Sequence, residues 1–168
     1  MRLLADVVGS ATYSPCKTWR YTLRRTPAQP RLVDAPKRVI CWVMLNPSTA
    51  TEHEDDPTVR RTQTFARAWG YDEVIVCNLF ALRSTDPAAL YTHPDPVGPD
   101  NDDAIASVLA DAELAIAAWG VHGELNRRAD EFLARHASVR WHCLGTTKHG
   151  HPRHPLYVRG DTTPLPLS

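Results

Sequence analysis

The feature that most constrains the fold of this chain is a series of apolar runs of strand length, each of which stops at a polar loop. The clearest run covers residues 38–45 and ends at Asn46-Pro47-Ser48. An unbroken apolar run predicts a strand buried on both faces, as the strands of a parallel sheet are. Three further runs cover residues 74–77, 114–119 and 139–144. Since helical segments separate these runs, they predict an α/β fold, a three-layer sandwich with a mainly parallel four-stranded central sheet and helices on both faces.

The predicted helices occupy the segments between these runs. The first covers residues 57–69: it begins with Pro57, is capped by Asp55 or Asp56, and ends at Gly70. The other two helices, over residues 99–112 and 124–136, carry apolar residues at helical spacing.

The N-terminal part alternates apolar and polar residues, which predicts a β-hairpin over about residues 8–25 as an antiparallel extension of the sheet. This alternation places Arg20 and Arg24 on its polar face. We interpret five arginines as solvated, namely Arg20, Arg24, Arg25, Arg60 and Arg61. A substrate-facing role stays open for some of these five.

A chain of 168 residues predicts one domain with a sizeable core. We expect the hairpin to be followed by a proline-rich connection with Pro27, Pro30 and Pro36. An α/β core over about residues 37–158 and a C-terminal coil over residues 159–168 complete the predicted organisation.

The charge balance narrows the classes of function. With 19 Lys and Arg against 19 Asp and Glu, the formal net charge is zero, which excludes a chain that coats nucleic acid indiscriminately. The basic residues are locally concentrated: residues 148–159 hold Lys148, Arg153 and Arg159 with three histidines and no acid. No apolar run is long enough to span a membrane, and Asp6 interrupts the start where a signal peptide needs apolar residues. We therefore expect a soluble cytoplasmic protein.

The cysteines and histidines do not have the spacing of metal ligands. The four cysteines are far apart, without a CxxC pair, and we interpret them as structural thiols. His149, His151 and His154 are close in sequence, but their loop is interrupted by Gly and Pro and has no acidic residue nearby. We expect no metal and no other cofactor.

Polar residues follow all four predicted strands. They are Asn46 and Ser48, then Asn78, then Trp119-Gly120 with His122, and finally a loop over residues 144–156 that holds Lys148, His151, Arg153 and His154. In parallel α/β sheets the loops at the carboxyl ends of the strands converge on one crevice. We therefore predict a binding site there.

Several of these residues also have an ordinary structural interpretation. Asn46 and Asn78 are suited to closing turns through side-chain hydrogen bonds. Asp55 and Asp56 are suited to capping the helix that starts at Pro57, and the sequence leaves open which of them turns into the crevice. Gly120 and Gly123 fit a phosphate-binding loop or an ordinary turn.

Five motifs carry a resemblance that covers essentially the whole chain. They are residues 42–50 (WVMLNPSTA), 55–61 (DDPTVRR), 78–81 (NLFA), 118–120 (AWG) and 143–156 (CLGTTKHGHPRHPL). On these motifs the chain is identified as a member of the family named domain of unknown function 1643, a name that implies no activity.

The order of motifs also resembles the uracil-DNA glycosylase-like superfamily. That resemblance implies a fold of this type, with Asn46 positioning the attacking water, Asn78 recognising a base, and His154 stabilising the departing base or contacting phosphate. Leu156 would be a wedge between bases. Ser48, Asp55 and Asp56 are added as candidate ligand contacts, and Lys148, His151 and Arg153 as candidate phosphate contacts.

Three functions fit these residues. The leading hypothesis is an N-glycosylase that acts on a modified or damaged base in DNA. The second is an enzyme that acts on a free nucleotide or modified-base precursor, which suits the zero net charge because it needs no long track of phosphate contacts. The third is a non-catalytic module that binds nucleic acid or nucleotide.

Overall fold

In the computed structural model, which describes residues 1–29 and 36–167, the chain forms a mixed α/β fold around one seven-stranded sheet. The strands are β1 (Val7–Tyr13), β2 (Arg20–Pro27), β3 (Val39–Met44), β4 (Glu73–Asn78), β5 (Leu114–Ala117), β6 (Trp141–Cys143) and β7 (Leu165–Pro166). Their order in the sheet is β1-β2-β4-β3-β5-β6-β7. The contacts among β4, β3, β5 and β6 are parallel, and the outer pairs are antiparallel.

The sheet is larger than the four strands predicted from the apolar runs. The N-terminal hairpin, predicted as an antiparallel extension, adds β1 and β2 to the sheet, because β2 pairs with β4 through Leu23 opposite Val76. The predicted C-terminal coil contains β7, which pairs with β6. Pro30 of the proline-rich connection and Ser168 of the coil lie outside the described residues.

The two central strands lie at the core of the molecule. All six residues of β4 are buried, as are five of the six residues of β3. Their parallel register places Met44 opposite Asn78. Both strands therefore end at the same edge of the sheet, which brings the loops after Met44 and Asn78 together.

Helices cover both faces of the sheet. They are α1 (Pro57–Ala68), α2 (Ala89–Thr92), α3 (Asn101–Asp111) and α4 (Arg128–Arg135). On one face Phe65 of α1 belongs to the same buried cluster as Trp42 of β3. On the other face Ile105 of α3 and Phe132 of α4 share a buried cluster with Val43.

The prediction of a continuous helix over residues 124–136 is wrong. Val121–Arg127 is a 3₁₀ segment, and the chain turns through left-handed conformations at Asn126 (φ 53°) and Arg127 (φ 56°) before α4 begins. The change of direction brings Arg128 to Asp102, with which its guanidinium forms an ion pair, and to the carbonyl oxygen of Leu79. Tertiary contacts thus override the helical spacing of the apolar residues.

The short helix α2 was not predicted, because its four residues are too few to show a period. None of the helices in the described part of the chain has the length and apolar character that crossing a membrane requires.

Candidate functional site

A cavity of about 620 Å³ lies at the carboxyl edge of the parallel strands. The loops that follow β3, β4, β5 and β6 all contribute to its wall, as does the first turn of α1. Its volume is within the range of small-molecule sites, which is ~300–1,000 Å³. Four strand ends that are remote in sequence therefore build one ligand-sized site, in agreement with the position predicted for the crevice.

Asn46 is held in a fixed orientation in this wall. Its amide nitrogen Nδ2 donates to the carbonyl oxygens of Ser84, at 2.9 Å, and Pro47, at 3.1 Å. Ser84 in turn donates its backbone N–H to Pro47, so the loops after β3 and β4 are bound to each other. With the amide nitrogen engaged, the side-chain oxygen of Asn46 is the group left to accept a hydrogen bond from a ligand or water.

Asn78 is the most distinctive side chain of the wall. It is 2% exposed, it lines the cavity, and its side-chain oxygen Oδ1 has no hydrogen-bond partner among the described residues. Buried polar atoms are rarely left unpaired, since desolvation without compensation is unfavourable. An amide in this state is suited to receive a hydrogen-bond donor of a ligand.

Side chains of α3 and α4 hold the backbone at Asn78 in place. Asn101 of α3 donates its Nδ2 to the carbonyl oxygens of Asn78 (2.9 Å) and Leu79 (3.2 Å). Arg128 of α4 also donates to Leu79, at 2.9 Å. Two helices therefore position the end of β4 and the amide that it carries.

The third part of the wall is Trp119-Gly120, which follows β5. Gly120 has a φ of 71°, a conformation that suits glycine, and its N–H donates to Pro152 of the last loop. Gly123 packs against the Trp119 ring so closely that a Cβ atom there would lie 2.3 Å from Cδ1. The glycines thus let the indole of Trp119 form a buried part of the wall.

His154 lies directly before the 3₁₀ segment Pro155–Tyr157 and lines the cavity. Its Nδ1 accepts the backbone N–H of Leu156 at 3.3 Å, which leaves the ring proton of the neutral form on Nε2. Burial lowers the pKa of His154 below its ordinary value, although the carboxylate of Asp56 opposes this change. The ring is therefore a neutral hydrogen-bond donor at neutral pH.

The two neighbouring aspartates have separate places. Asp56 lines the cavity and caps α1, since its Oδ1 accepts the N–H of Val59 at 2.8 Å. Asp55 is buried outside the cavity wall, where it pairs with Arg25 (2.8 Å) and Arg60 (3.0 Å). Only Asp56 therefore offers a carboxylate to the cavity.

The other predicted contact residues divide between the cavity and the surface around it. Ser48, Lys148 and Arg153 are exposed residues of the cavity lining. His151 does not line the cavity, and its Nε2 lies 3.5 Å from a carboxylate oxygen of Glu124. Leu156 is likewise absent from the lining and is 44% exposed on the surface.

Arg20 is the site residue that sequence analysis misplaced. It is 2% exposed and lines the cavity, whereas the alternation of the hairpin placed it on the solvated face. Since β2 is antiparallel to β4, β2 starts at the edge of the sheet where β4 ends. At that edge the backbone N–H of Arg20 donates to the carbonyl oxygen of Ala81. A prediction that β2 pairs with β4 would have placed Arg20 at the carboxyl edge of the sheet.

One aromatic residue at the cavity, Tyr157, was missed as a ligand contact, whereas His122 was among the residues predicted to lie at the crevice. Tyr157 lines the cavity, is 78% exposed, and has its ring centroid 5.6 Å from that of His154. His122, also in the lining, has its Nδ1 3.0 Å from the hydroxyl of Tyr91. An exposed ring at a cavity mouth is suited to stack on a planar ligand.

The charge of the lining is positive. Among the described residues that line the cavity, Arg20, Lys148 and Arg153 are cations and Asp56 is the one carboxylate. Over residues 1–29 and 36–167, no three His, Cys, Asp or Glu side chains form a group suited to a metal ion. The arrangement can therefore hold a planar polar ligand with negative charge through amides, a neutral imidazole and cationic side chains.

The fold and this cavity define a mixed α/β protein with a ligand-sized cavity at the carboxyl edge of its parallel strands. The chain belongs to the family described as "Protein of unknown function (DUF1643)", which matches residues 20–156. No curated protein and no solved structure matches the chain.

Proposed function

We propose that this protein is an enzyme of uracil-DNA glycosylase-like fold that hydrolyses the N-glycosidic bond of a nucleobase bound in the cavity. The observation that carries the proposal is the buried amide oxygen of Asn78 in the cavity wall, which has no hydrogen-bond partner in the part of the chain that the structure describes. An amide recognises the donor and acceptor edge of a base through paired hydrogen bonds.

The chemistry needs a positioned water and a donor for the departing base. The oxygen of water bonds to C1′ of the sugar as the bond from C1′ to the base nitrogen breaks, and the electron pair stays on the base. Asn46 orients this water through its free side-chain oxygen, and Asp56 accepts its proton. His154 donates from Nε2 to the departing base, whose negative charge it stabilises.

The most concrete substrate is a modified or damaged base in DNA. A duplex base has to be flipped out of the stack, at a cost of a few kcal/mol, before it can enter a cavity. Around the cavity, Tyr157 offers a ring for stacking, and Lys148 and Arg153 offer charges for phosphate. We assign the role of the wedge to Leu156, which is 44% exposed.

The test is a panel of oligonucleotides with modified bases, assayed for abasic sites with the wild type, Asn46→Ala and His154→Ala. We expect one substrate to be cleaved and each substitution to lower the rate by about 100-fold or more. His53→Ala is the control, because His53 is exposed and lies outside the cavity. Equal rates for all four proteins would refute the assignment of the site.

A DNA complex without abasic sites would instead identify a binding module, provided that Asn46→Ala leaves the affinity unchanged. A second candidate function, hydrolysis of a free nucleotide, is favoured by one observation, the buried cation Arg20 in the wall.

A further inference from the structure

Arg20 has far fewer partners than its position in the molecule requires. The side chain is 2% exposed, yet its one hydrogen bond to the described residues joins Nη1 to the carbonyl oxygen of Ala50 at 2.6 Å. Nε is buried without a partner in the described part of the chain, and no carboxylate there lies within 4.0 Å of the guanidinium. Asp56 acts on Arg20 through space only.

The other buried arginines provide an internal comparison. Arg25, also 2% exposed, pairs with Asp55 and donates to the carbonyl oxygens of Thr51 and Glu54 as well. Arg128, 6% exposed, pairs with Asp102 and donates to Leu79. Both of these arginines lie outside the cavity lining. Among the described residues, the fold therefore neutralises the buried guanidinium groups of Arg25 and Arg128 but not that of Arg20, which lies in the cavity wall.

An unpaired cation in this position is unfavourable for the free protein. Burial lowers the pKa of Arg20 to about 10, so the side chain is still charged at neutral pH. A buried charge without a counter-ion destabilises a fold strongly, since desolvation is not offset by attraction. Stabilisation by a bound anion would offset this cost, and the cavity is the route by which an anion reaches the residue.

We propose that Arg20 binds a terminal anionic group of the ligand, so that the substrate is a nucleobase compound bearing a phosphate monoester or a carboxylate. The identity of the base-bearing part rests on the proposed function. Guanidinium is the preferred partner of such groups because its N–H donors match two oxygens at once.

A terminal group fits this position better than an internal phosphodiester of DNA. A phosphodiester is connected to a nucleotide on each side. Both flanking nucleotides would have to enter the cavity for the phosphate to reach the Arg20 side chain, which is 2% exposed. A monoester of a free nucleotide, or an acidic substituent on the base itself, enters alone. Lys148 and Arg153, which are exposed, are the residues suited to a continuous strand.

The experiment compares charged and neutral ligands on two variants. Affinities are measured calorimetrically for the common nucleosides, their 5′-monophosphates, nucleosides with a carboxylated base, and inorganic phosphate. The proteins are the wild type, Arg20→Gln and the control Arg67→Gln, which removes the same charge from an exposed pair with Asp6. Melting of each free protein is recorded in parallel, because it separates a structural role of Arg20 from a binding role.

We expect at least one anionic nucleoside to bind the wild type about 10- to 100-fold more tightly than its neutral counterpart. Arg20→Gln should abolish this preference and leave the melting temperature of the free protein unchanged or higher, whereas Arg67→Gln should keep the preference. Whether the monophosphate or the carboxylated base is preferred identifies the source of the anion.

Two other results would overturn the proposal. One is equal affinity for charged and neutral nucleosides, which leaves base recognition by the cavity intact. The other is a lower melting temperature of free Arg20→Gln with the preference retained, which would make Arg20 structural. Binding of inorganic phosphate through Arg20 without binding of any nucleoside or oligonucleotide would support the anion site and refute the proposed function. Binding of none of these ligands would refute both.

Discussion

At the scale of single residues, Asp55 and Asp56 show how neighbours in sequence acquire different roles. Asp56 faces the cavity with His154, and Asp55 faces the buried guanidinium of Arg25. Consecutive residues at the entrance to a helix point in different directions, so their chemical identity does not decide which of them meets a ligand. The two carboxylates can therefore be tested by different measurements, Asp56 by the pKa of His154 and Asp55 by the free energy of unfolding.

Replacing Asp56 by Asn should lower the pKa of His154 further. The carboxylate of Asp56 raises that pKa, in opposition to burial, and the substitution removes its charge while Asn still caps α1. The measurement is an NMR titration of the imidazole resonance, assigned with His154→Gln. An unchanged or raised pKa in Asp56→Asn would contradict the electrostatic coupling.

Cys16 should be the reactive thiol of the protein. It is exposed, and hydrogen bonds with the hydroxyls of Ser14 and Thr18 lower its pKa to about 7. Alkylation at pH 7 should therefore modify Cys16 and spare Cys41 and Cys77, which are buried. The rate should be about five-fold lower at pH 6, where less thiolate is present.

Peptide mapping by mass spectrometry measures this modification. Thr18→Val should slow it by removing one of the hydroxyls, and Cys16→Ser should eliminate it. Modification of Cys41 and Cys77 at a comparable rate in the folded protein would contradict their burial.

At the scale of elements, the start of α1 is held by a buried polar network. Asp55 pairs with Arg25 of β2 and Arg60 of α1, and it accepts a hydrogen bond from Gln63 at 3.0 Å. This network joins the hairpin to the helix that contributes Asp56 to the cavity. Because Asp55 is 3% exposed, water cannot take the place of its carboxylate as the partner of the two guanidinium groups.

Asp55→Asn should destabilise the protein by about 3–5 kcal/mol, since it leaves the buried Arg25 without its counter-ion. Asp56→Asn is the matched control and should change the free energy of unfolding by less than about 1 kcal/mol, because the cap is kept. Chemical denaturation of both variants measures the difference. Equal stabilities would show that the network does not hold the element.

At the scale of the whole molecule, two histidines couple folding to pH. Burial lowers the pKa of His136 and of His154 below the ordinary value of 6.5. Below that value the unfolded chain takes up protons that the folded chain does not, so the free energy of unfolding falls as the pH drops. The loss is complete once the pH is below the folded pKa values.

The melting temperature should accordingly decrease between pH 7 and pH 5. The double substitution His136→Gln and His154→Gln should flatten this decrease, and melting curves at a series of pH values measure it. If the double variant keeps the full slope, other groups are responsible. The depressed pKa of Asp102, which Arg128 stabilises in its charged form against the effect of burial, acts only at more acidic pH.

The apolar runs of the sequence by themselves determined the α/β class, the burial of β3 and β4, and the edge at which Asn46, Asn78 and His154 meet. This information is local, because an unbroken run between polar loops is enough to predict a doubly covered strand. The break before α4 and the pairing of β7 depended on contacts with distant residues such as Leu79 and Trp141, which spacing along the chain does not contain.

The tertiary structure alone decided which charged residues face the cavity. Arg20 is in the wall because β2 runs antiparallel to β4. Of the two aspartates before α1, Asp56 lines the cavity, whereas Asp55 is paired with Arg25. The physical reason is that the free energy of a charge depends on its solvation and its partners, and both are set by strands and loops far away in sequence. Residue type and local pattern predicted the edge of the sheet at which the cavity lies, and long-range packing decided which charged side chains line it.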